Sequence, residues 1–367
     1  AVAISSGFSH TCAILDNGSV SCWGDGSSGQ LGNGGTSDAT TPTLTSSLGP
    51  GRTAVAISSG HEHTCAILDD GSVSCWGSGG SGRLGNGGTS DATTPTLTSS
   101  LGLGRTAVAI SSGHEHTCAI LGDRSVSCWG RGNSGQLGNG VTTQPNGATG
   151  PSPYLPYPTS TSSLGTGRIA VAISSGEDHT CALLDDGSVS CWGKGGMGRL
   201  GNGGTSDETT PTPTSSLGTG RTAVAISSGF SHTCAILDDG SVSCWGRGDL
   251  GRLGNGGTSD ATTPTPTSSL GIGRTAALSE RDFDNDGILN VFESTAPSLV
   301  SCTAGQYGFY MCVDAPLGRY VASSGSRYAT DCLAGTFQAL TGQSSCSVAE
   351  PGHYIPLFWG IAQSRQN

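Results

Sequence analysis

The sequence is poor in charge. Only 12% of its 367 residues are Asp, Glu, Lys or Arg, about half the ~25% of an average globular chain. Its sole lysine is Lys194, it carries two methionines, and aromatic residues make up 5%. So few charges exclude long solvent-facing amphipathic helices, coiled coils and charged disordered tails. With a net charge of −11 and no run of Lys or Arg, the chain lacks the basic face that a nucleic-acid partner requires. Long apolar stretches are also missing, since residues 354–362 fall far short of the ~20 residues of a membrane helix. No signal peptide or initiating Met is visible, so processing is expected.

What is abundant is glycine, 62 residues, and cysteine, 14 residues. Both follow an internal repeat. The segment AVAISSG begins at Ala1, Ala54, Ala107, Ala170 and Ala223 and runs on each time as HTCA(I/L)L, a short turn, SVSCWG, LGNG and a Ser/Thr/Pro stretch ending in LGxGR. Five units cover roughly residues 1–274; the third carries a ten-residue insertion within 141–160, and a sixth copy starts at Thr275 and stops. The recurring glycine motif GxGxxG sits in no βαβ unit, which excludes a dinucleotide fingerprint.

Within a unit the period is two. In HTCAILDDGSVSCWG, Cys65 and Ile67 face one side of a strand while Ala66 and Leu68 face the other. Asp69, Asp70 and Gly71 have the composition of a three-residue hairpin loop. Counting back from Asp70 sets Cys65 opposite Cys75, within range of a cross-strand disulfide. The same rule pairs Cys12 with Cys22, Cys118 with Cys128, Cys181 with Cys191 and Cys234 with Cys244. Zinc sites need close CxxC knuckles, which this spacing lacks. Structural disulfides place the chain in an oxidising, extracellular compartment, secreted or at the cell surface.

Gly60, His63, Cys65, Ala66, Leu68, Gly71, Val73, Cys75, Trp76, Gly77, Gly82, Leu84 and Gly85, with their equivalents, form a pattern that resembles the repeat of the regulator of chromosome condensation family, in its secreted, Cys-paired variety. The resemblance implies an all-β fold, a β-propeller of four-stranded antiparallel blades over residues 1–279. Familiar members have seven blades and this chain has five units, leaving a five-bladed ring, an open arc or a fragment as alternatives. In a closed ring one of the strands 1–5 and 275–279 is redundant and free to pair with a neighbouring molecule. Arg124 replaces the hairpin glycine of the third unit, which puts that turn in question. Members include a nuclear nucleotide-exchange factor and an inhibitor of a bacterial hydrolase; neither role transfers on fold alone.

A linker at 280–296 follows. Asp282, Asp284 and Asp286 at positions 1, 3 and 5, Gly287 at 6, the Ile288 carbonyl at 7, Asn290 at 9 and Glu293 at 12 match a twelve-residue Ca²⁺ loop. With Ala296-Pro297 close behind, the loop resembles a thrombospondin type 3 or dockerin calcium repeat rather than a sensor EF-hand, and Ca²⁺ is the expected cofactor; a solvated acidic turn is the alternative. Residues 297–367 carry Cys302, Cys312, Cys332 and Cys346 in a pattern similar to the cysteine-rich repeat of ephrin receptors. Four cysteines allow three connectivities, which stay open.

Other candidates are weaker. His61 and His63, like His114 and His116, flank a Glu and admit a metal site; the His shared by all units is expected to bond blade backbone. Trp23, Trp76, Trp129, Trp192 and Trp245 read as packing residues, with sugar stacking the alternative. Asn17 opens an N-glycosylation sequon, and the stretches TTPTLTSS and TTPTPTSS resemble O-glycosylated loops. Tyr154 and Tyr157, in the insertion, break the repeat symmetry and read as a contact loop. No set of nucleophile, base and acid stands out. The expectation is a non-enzymatic extracellular scaffold that self-associates into a layer or filament, with an adhesin or lectin-like binder of glycans or a protein partner as the alternative.

Overall fold

The computed structural model describes residues 1–142 and 154–270, together with the backbone of three two-residue strand pairs between Gln306 and Val348. Twenty strands make five four-stranded antiparallel sheets, each in chain order. Blade 1 is β1 (Ala3–Ser6), β2 (His10–Ile14), β3 (Val20–Gly24) and β4 (Ala39–Leu44). Blade 2 is β5 (Ala54–Ser59), β6 (His63–Leu68), β7 (Val73–Gly77) and β8 (Ala92–Leu97). Blade 3 is β9 (Ala107–Ser112), β10 (His116–Leu121), β11 (Val126–Arg131) and β12 (Tyr154–Ser160). Blade 4 is β13 (Ala170–Ser175), β14 (His179–Leu184), β15 (Val189–Gly193) and β16 (Glu208–Pro213). Blade 5 is β17 (Ala223–Ser228), β18 (His232–Leu237), β19 (Val242–Gly246) and β20 (Ala261–Pro266). All five lie in the first of two units of the chain, Ala1–Ile288.

The central hairpin follows from the sequence. Leu68 N donates to Ser72 O and Gly71 N to Leu68 O, each at 2.8 Å, so the loop is Asp69-Asp70-Gly71 and Cys65 sits opposite Cys75. Asp70 Oδ1 accepts from Ser72 N at 3.0 Å and Ser72 Oγ at 2.6 Å, closing the turn. Gly71 has φ +76°, and a Cβ there would meet Thr106 Cβ at 2.4 Å. Arg124 adopts the same turn at φ +65°. The misfit shows one bond away: Arg124 O accepts from Ala170 N at 3.2 Å, where Gly18, Gly71 and Gly187 accept the equivalent bond at 2.8 Å.

All five predicted blade disulfides form, Cys12–Cys22, Cys65–Cys75, Cys118–Cys128, Cys181–Cys191 and Cys234–Cys244. They lie between blades rather than at the rim. The two strand faces pack on different neighbours: Cys65, Ile67, Val73 and Cys75 of blade 2 meet Ala119, Leu121 and Trp129 of blade 3. Equivalent clusters join blades 1 and 2, 3 and 4, and 4 and 5. Among the described residues the core is thus four sandwiches, each between a cystine face and a Trp face.

Polar groups lock each joint. Thr117 Oγ1 gives its proton to Arg83 O at 3.1 Å and so must accept from His63 Nε2 at 2.9 Å. The same relay links His10 to Thr64, His116 to Thr180 and His179 to Thr233. The network therefore assigns the Nε2–H tautomer and leaves each Nδ1 buried without a partner. The partner of the shared His is a threonine hydroxyl of the next blade, and not, as expected, its own backbone. Trp76, Trp129 and Trp192 donate Nε1–H to Gln30 O, Arg83 O and Gln136 O at 2.9–3.0 Å. Gly85, at φ +69°, abuts Trp129, a Cβ there lying 2.7 Å from Nε1. That contact explains one recurring glycine of the LGNG turn.

One expectation about the outer parts fails. The TTPT stretches are not loops: they form the outermost strands β4, β8, β16 and β20. Pro42, Pro95, Pro211 and Pro264 sit in those strands, where a missing N–H is tolerated at a free edge. Of the two terminal strands, β1 pairs with β2 along Ala3↔Ile14 to Ser6↔Thr11, and 275–279 lie outside the described residues.

Candidate functional site

The units differ at the two residues before the shared His. These read Phe8-Ser9, His61-Glu62, His114-Glu115, Glu177-Asp178 and Phe230-Ser231, and they lie in the tight turn from each blade's first strand to its second. The turns are pinned across blades: Phe8 N donates to Gly60 O at 3.2 Å, and His61 N and His114 N to Gly113 O and Gly176 O at 3.3 Å. Their side chains therefore converge. Phe8 stacks on His61 at 4.3 Å between centroids, His61 on His114 at 4.0 Å, and His114 meets Phe230 edge-on at 6.1 Å. Phe8 is 68% exposed and Phe230 47% exposed, which makes this an apolar surface of aromatic and imidazole rings contributed by four blades. Burial, the neighbouring His114 and Arg83 hold His61 below the ordinary imidazole range, against the pull of Glu62 and Glu115.

A charge network backs these rings. Arg83, 4% exposed, donates Nε to Gly80 O at 2.9 Å, Nη1 to His114 O at 3.3 Å and Nη2 to Glu115 Oε1 at 3.0 Å. Arg131 Nη1 takes the other Glu115 oxygen at 2.7 Å. Burial lowers the Arg83 pKa, and Glu115 and Glu62 oppose that loss of charge. On blade 4 Arg199 pairs with Glu177 at 3.3 Å, and Lys194 with Asp178 at 3.4 Å. Each buried cation is neutralised locally, so the network fixes the turns that carry the rings.

The comparisons with known proteins agree with this architecture. The profile of the RCC1-like domain matches residues 1–279. This chain belongs to the RCC1-like domain family. It is 34% identical over 268 residues to the ultraviolet-B receptor UVR8 of Arabidopsis thaliana, covering 73% of this chain and 58% of the receptor. It is also 34% identical over 271 residues to the human E3 ubiquitin-protein ligase HERC2, covering 73% of this chain but 5% of the ligase. Among solved structures, human WBSCR16 superposes with a TM-score of 0.62 at 22% identity, over 73% of this chain and 67% of that one. The RCC1-like propeller is a general scaffold for protein interaction.

Within this RCC1-like chain the sequence-predicted residues are dispersed. His61 and His63 do not share a metal site: His61 joins the ring stack while His63 is buried against Thr117. Among the described residues, no group of three His, Cys, Asp or Glu side chains is placed to hold a metal. Trp76, Trp129, Trp192 and Trp245 are completely buried, which removes them as sugar platforms. Asn17 is exposed in the first hairpin, its Oδ1 accepting from Ser19 N and Oγ as Asp70 does from Ser72.

Tyr154 and Tyr157 are corrected from contact loop to strand β12, paired with β11, and Tyr157 packs on the joint between blades 3 and 4. An open depression of about 190 Å³ beside Asp186, Val189, Pro213 and Leu217 is below the ~300–1,000 Å³ of small-molecule sites. Asp282, Asp284, Asp286, Ile288, Asn290 and Glu293 lie outside the described residues, as do Cys302, Cys312, Cys332 and Cys346. The sequence reading missed Phe8, Phe230 and the Arg83 network; the available signal was variation at fixed positions inside an otherwise repeated motif.

Proposed function

We propose that this RCC1-like chain is a non-enzymatic scaffold that works in an oxidising, extracellular setting and assembles with copies of itself. The observation that carries the reading is a disulfide in every one of the five blades. Thiols kept reduced in a cytosol do not form such a series. Electron microscopy of the purified chain tests the assembly: regular polymers are expected, and dispersed particles refute it. Intact mass without reduction, lower than after reduction by at least the ten hydrogens of the five blade bridges, tests the setting.

A second reading is supported by the exposed rings of Phe8, His61, His114 and Phe230. Aromatic residues exposed together are the usual anchors of a protein contact. Under that reading dispersed particles bind a protein or glycan ligand, and Phe8→Ser with Phe230→Ser abolishes capture. The Ca²⁺ loop is proposed, from its spacing alone, as a clamp on the linker that follows the blades. Chelation is then expected to open 282–293 to protease; an unchanged cleavage pattern discards the clamp.

A further inference from the structure

Among the described residues five blades make four joints, and each joint consumes one cystine face and one Trp face. One face of each kind is left over. The first is on blade 1: Trp23 and Thr11 are half-buried, whereas Trp76, Trp129, Trp192 and Trp245 and Thr64, Thr117, Thr180 and Thr233 are 0% exposed. The second is on blade 5: Cys234, Ile236 and Val242 are half-buried, whereas their equivalents in the other four blades, such as Cys65, Ile67 and Val73, are closed off. Hydrogen bonds break off at the same places. Among the described residues His232 Nε2 has no threonine hydroxyl to match the His–Thr bonds of the other four blades, and no histidine reaches Thr11.

We propose that the cystine face of blade 5 docks on the Trp face of blade 1 of a second copy, head to tail, and so repeats between molecules the joint that is present four times within one. This rests on the assembling scaffold described above and supplies its interface. The two faces are complementary because each is the equivalent of a face already packed on the other kind. His232 finds Thr11 of the second copy, the Arg252 carbonyl finds Trp23 Nε1 of the second copy, and Ile236 and Val242 cover Ala13 and Trp23 of the second copy. The outer rims are poorer candidates, since Pro42, Pro95, Pro211 and Pro264 interrupt their edge strands. Because the two faces differ, the contact is heterologous and propagates to a ring or a filament.

The test is light scattering on the oxidised full chain over a concentration series, with Ile236→Asp on one face and Trp23→Asp on the other. The unaltered chain is expected to exceed its monomer mass of 36.5 kDa in steps. Each variant alone stays at 36.5 kDa, yet a mixture of the two gives a 1:1 dimer, because each keeps the face the other has lost. Unchanged thermal melting shows that the variants fold. Should either fail to fold, His232→Ala serves instead, with a dissociation constant raised about tenfold for one lost hydrogen bond. An unaltered chain that stays monomeric at every concentration overturns the proposal and the assembly reading together. Assemblies that persist in both folded variants overturn the proposal alone and leave the scaffold to associate through another surface.

Discussion

Lowering the pH from 7 to 4 should unfold the blades before their carboxylates titrate. The groups responsible are the five shared histidines. Burial pushes His10 and His116 down to about 4, His63 and His179 well below the ordinary value of 6.5, and His232 below it to a smaller degree. The physical cause is visible in the joints: His10, His63, His116 and His179 donate from Nε2 to a threonine hydroxyl, and a proton added at the partnerless Nδ1 creates a buried cation with no acceptor. The folded pKa is depressed, so the stabilisation is complete above the unfolded value of 6.5 and is lost as the pH falls from there through the folded value.

Each proton bound only by the unfolded chain changes stability by about 1.4 kcal/mol per pH unit. His10 and His116, falling from 6.5 to about 4, are then worth about 3 kcal/mol each, and with His63 and His179, held lower still, four such groups give a slope of about 5 kcal/mol per pH unit near pH 5. That slope exhausts a typical folding stability of about 5–15 kcal/mol within one to three pH units. Asp70, Asp123 and Asp186, held below 3.8 chiefly by their serine hydrogen bonds, contribute only at lower pH. Fluorescence of the buried tryptophans followed from pH 8 to 3 reads the transition, with a midpoint expected between pH 4 and 5.5. His116→Gln, which keeps a donor toward Thr180, should lower the slope by one proton. A native signal and an unchanged melting temperature down to pH 4 refute the reasoning.

Three further outcomes follow from local geometry. Arg124→Gly should stabilise by about 1 kcal/mol, the left-handed strain of a side chain less the greater chain entropy of glycine, and thermal melting a few degrees higher checks it. Gly85→Ala should cost about 3 kcal/mol, from its positive φ and the collision with Trp129, read as a fall in the denaturant midpoint. Replacing Cys118 and Cys128 together by Ala should cost about 3 kcal/mol, the closure entropy of so short a loop, with the other four bridges intact by mass.

Much of the blade was legible because it was written five times. The Asp-Asp-Gly turn and the alternation around it specify a register, and the register alone brings Cys65 opposite Cys75. The outer strands were not legible: ATTPTL lacks an alternating pattern and carries a proline, and β12, whose sequence departs from the other units, pairs with β11 all the same. The His–Thr relay joins residues 54 positions apart, such as His63 and Thr117, in different copies of the motif, where no local pattern points. The ring cluster was hidden for the opposite reason. Phe8, His61, His114 and Phe230 occupy one repeat position with different side chains, and only the convergence of the turns makes them neighbours.

The disulfides of the five blades each span ten residues and enclose a single hairpin. Ten scrambled cysteines have more pairings available than the ~105 open to eight, yet here every cysteine meets its mate before a distant one can compete. Each hairpin can oxidise on its own, independently of the rest of the chain. Whole units can be duplicated or deleted in a gene without rewiring one bridge, so the number of blades is free to drift while the chemistry of each stays fixed.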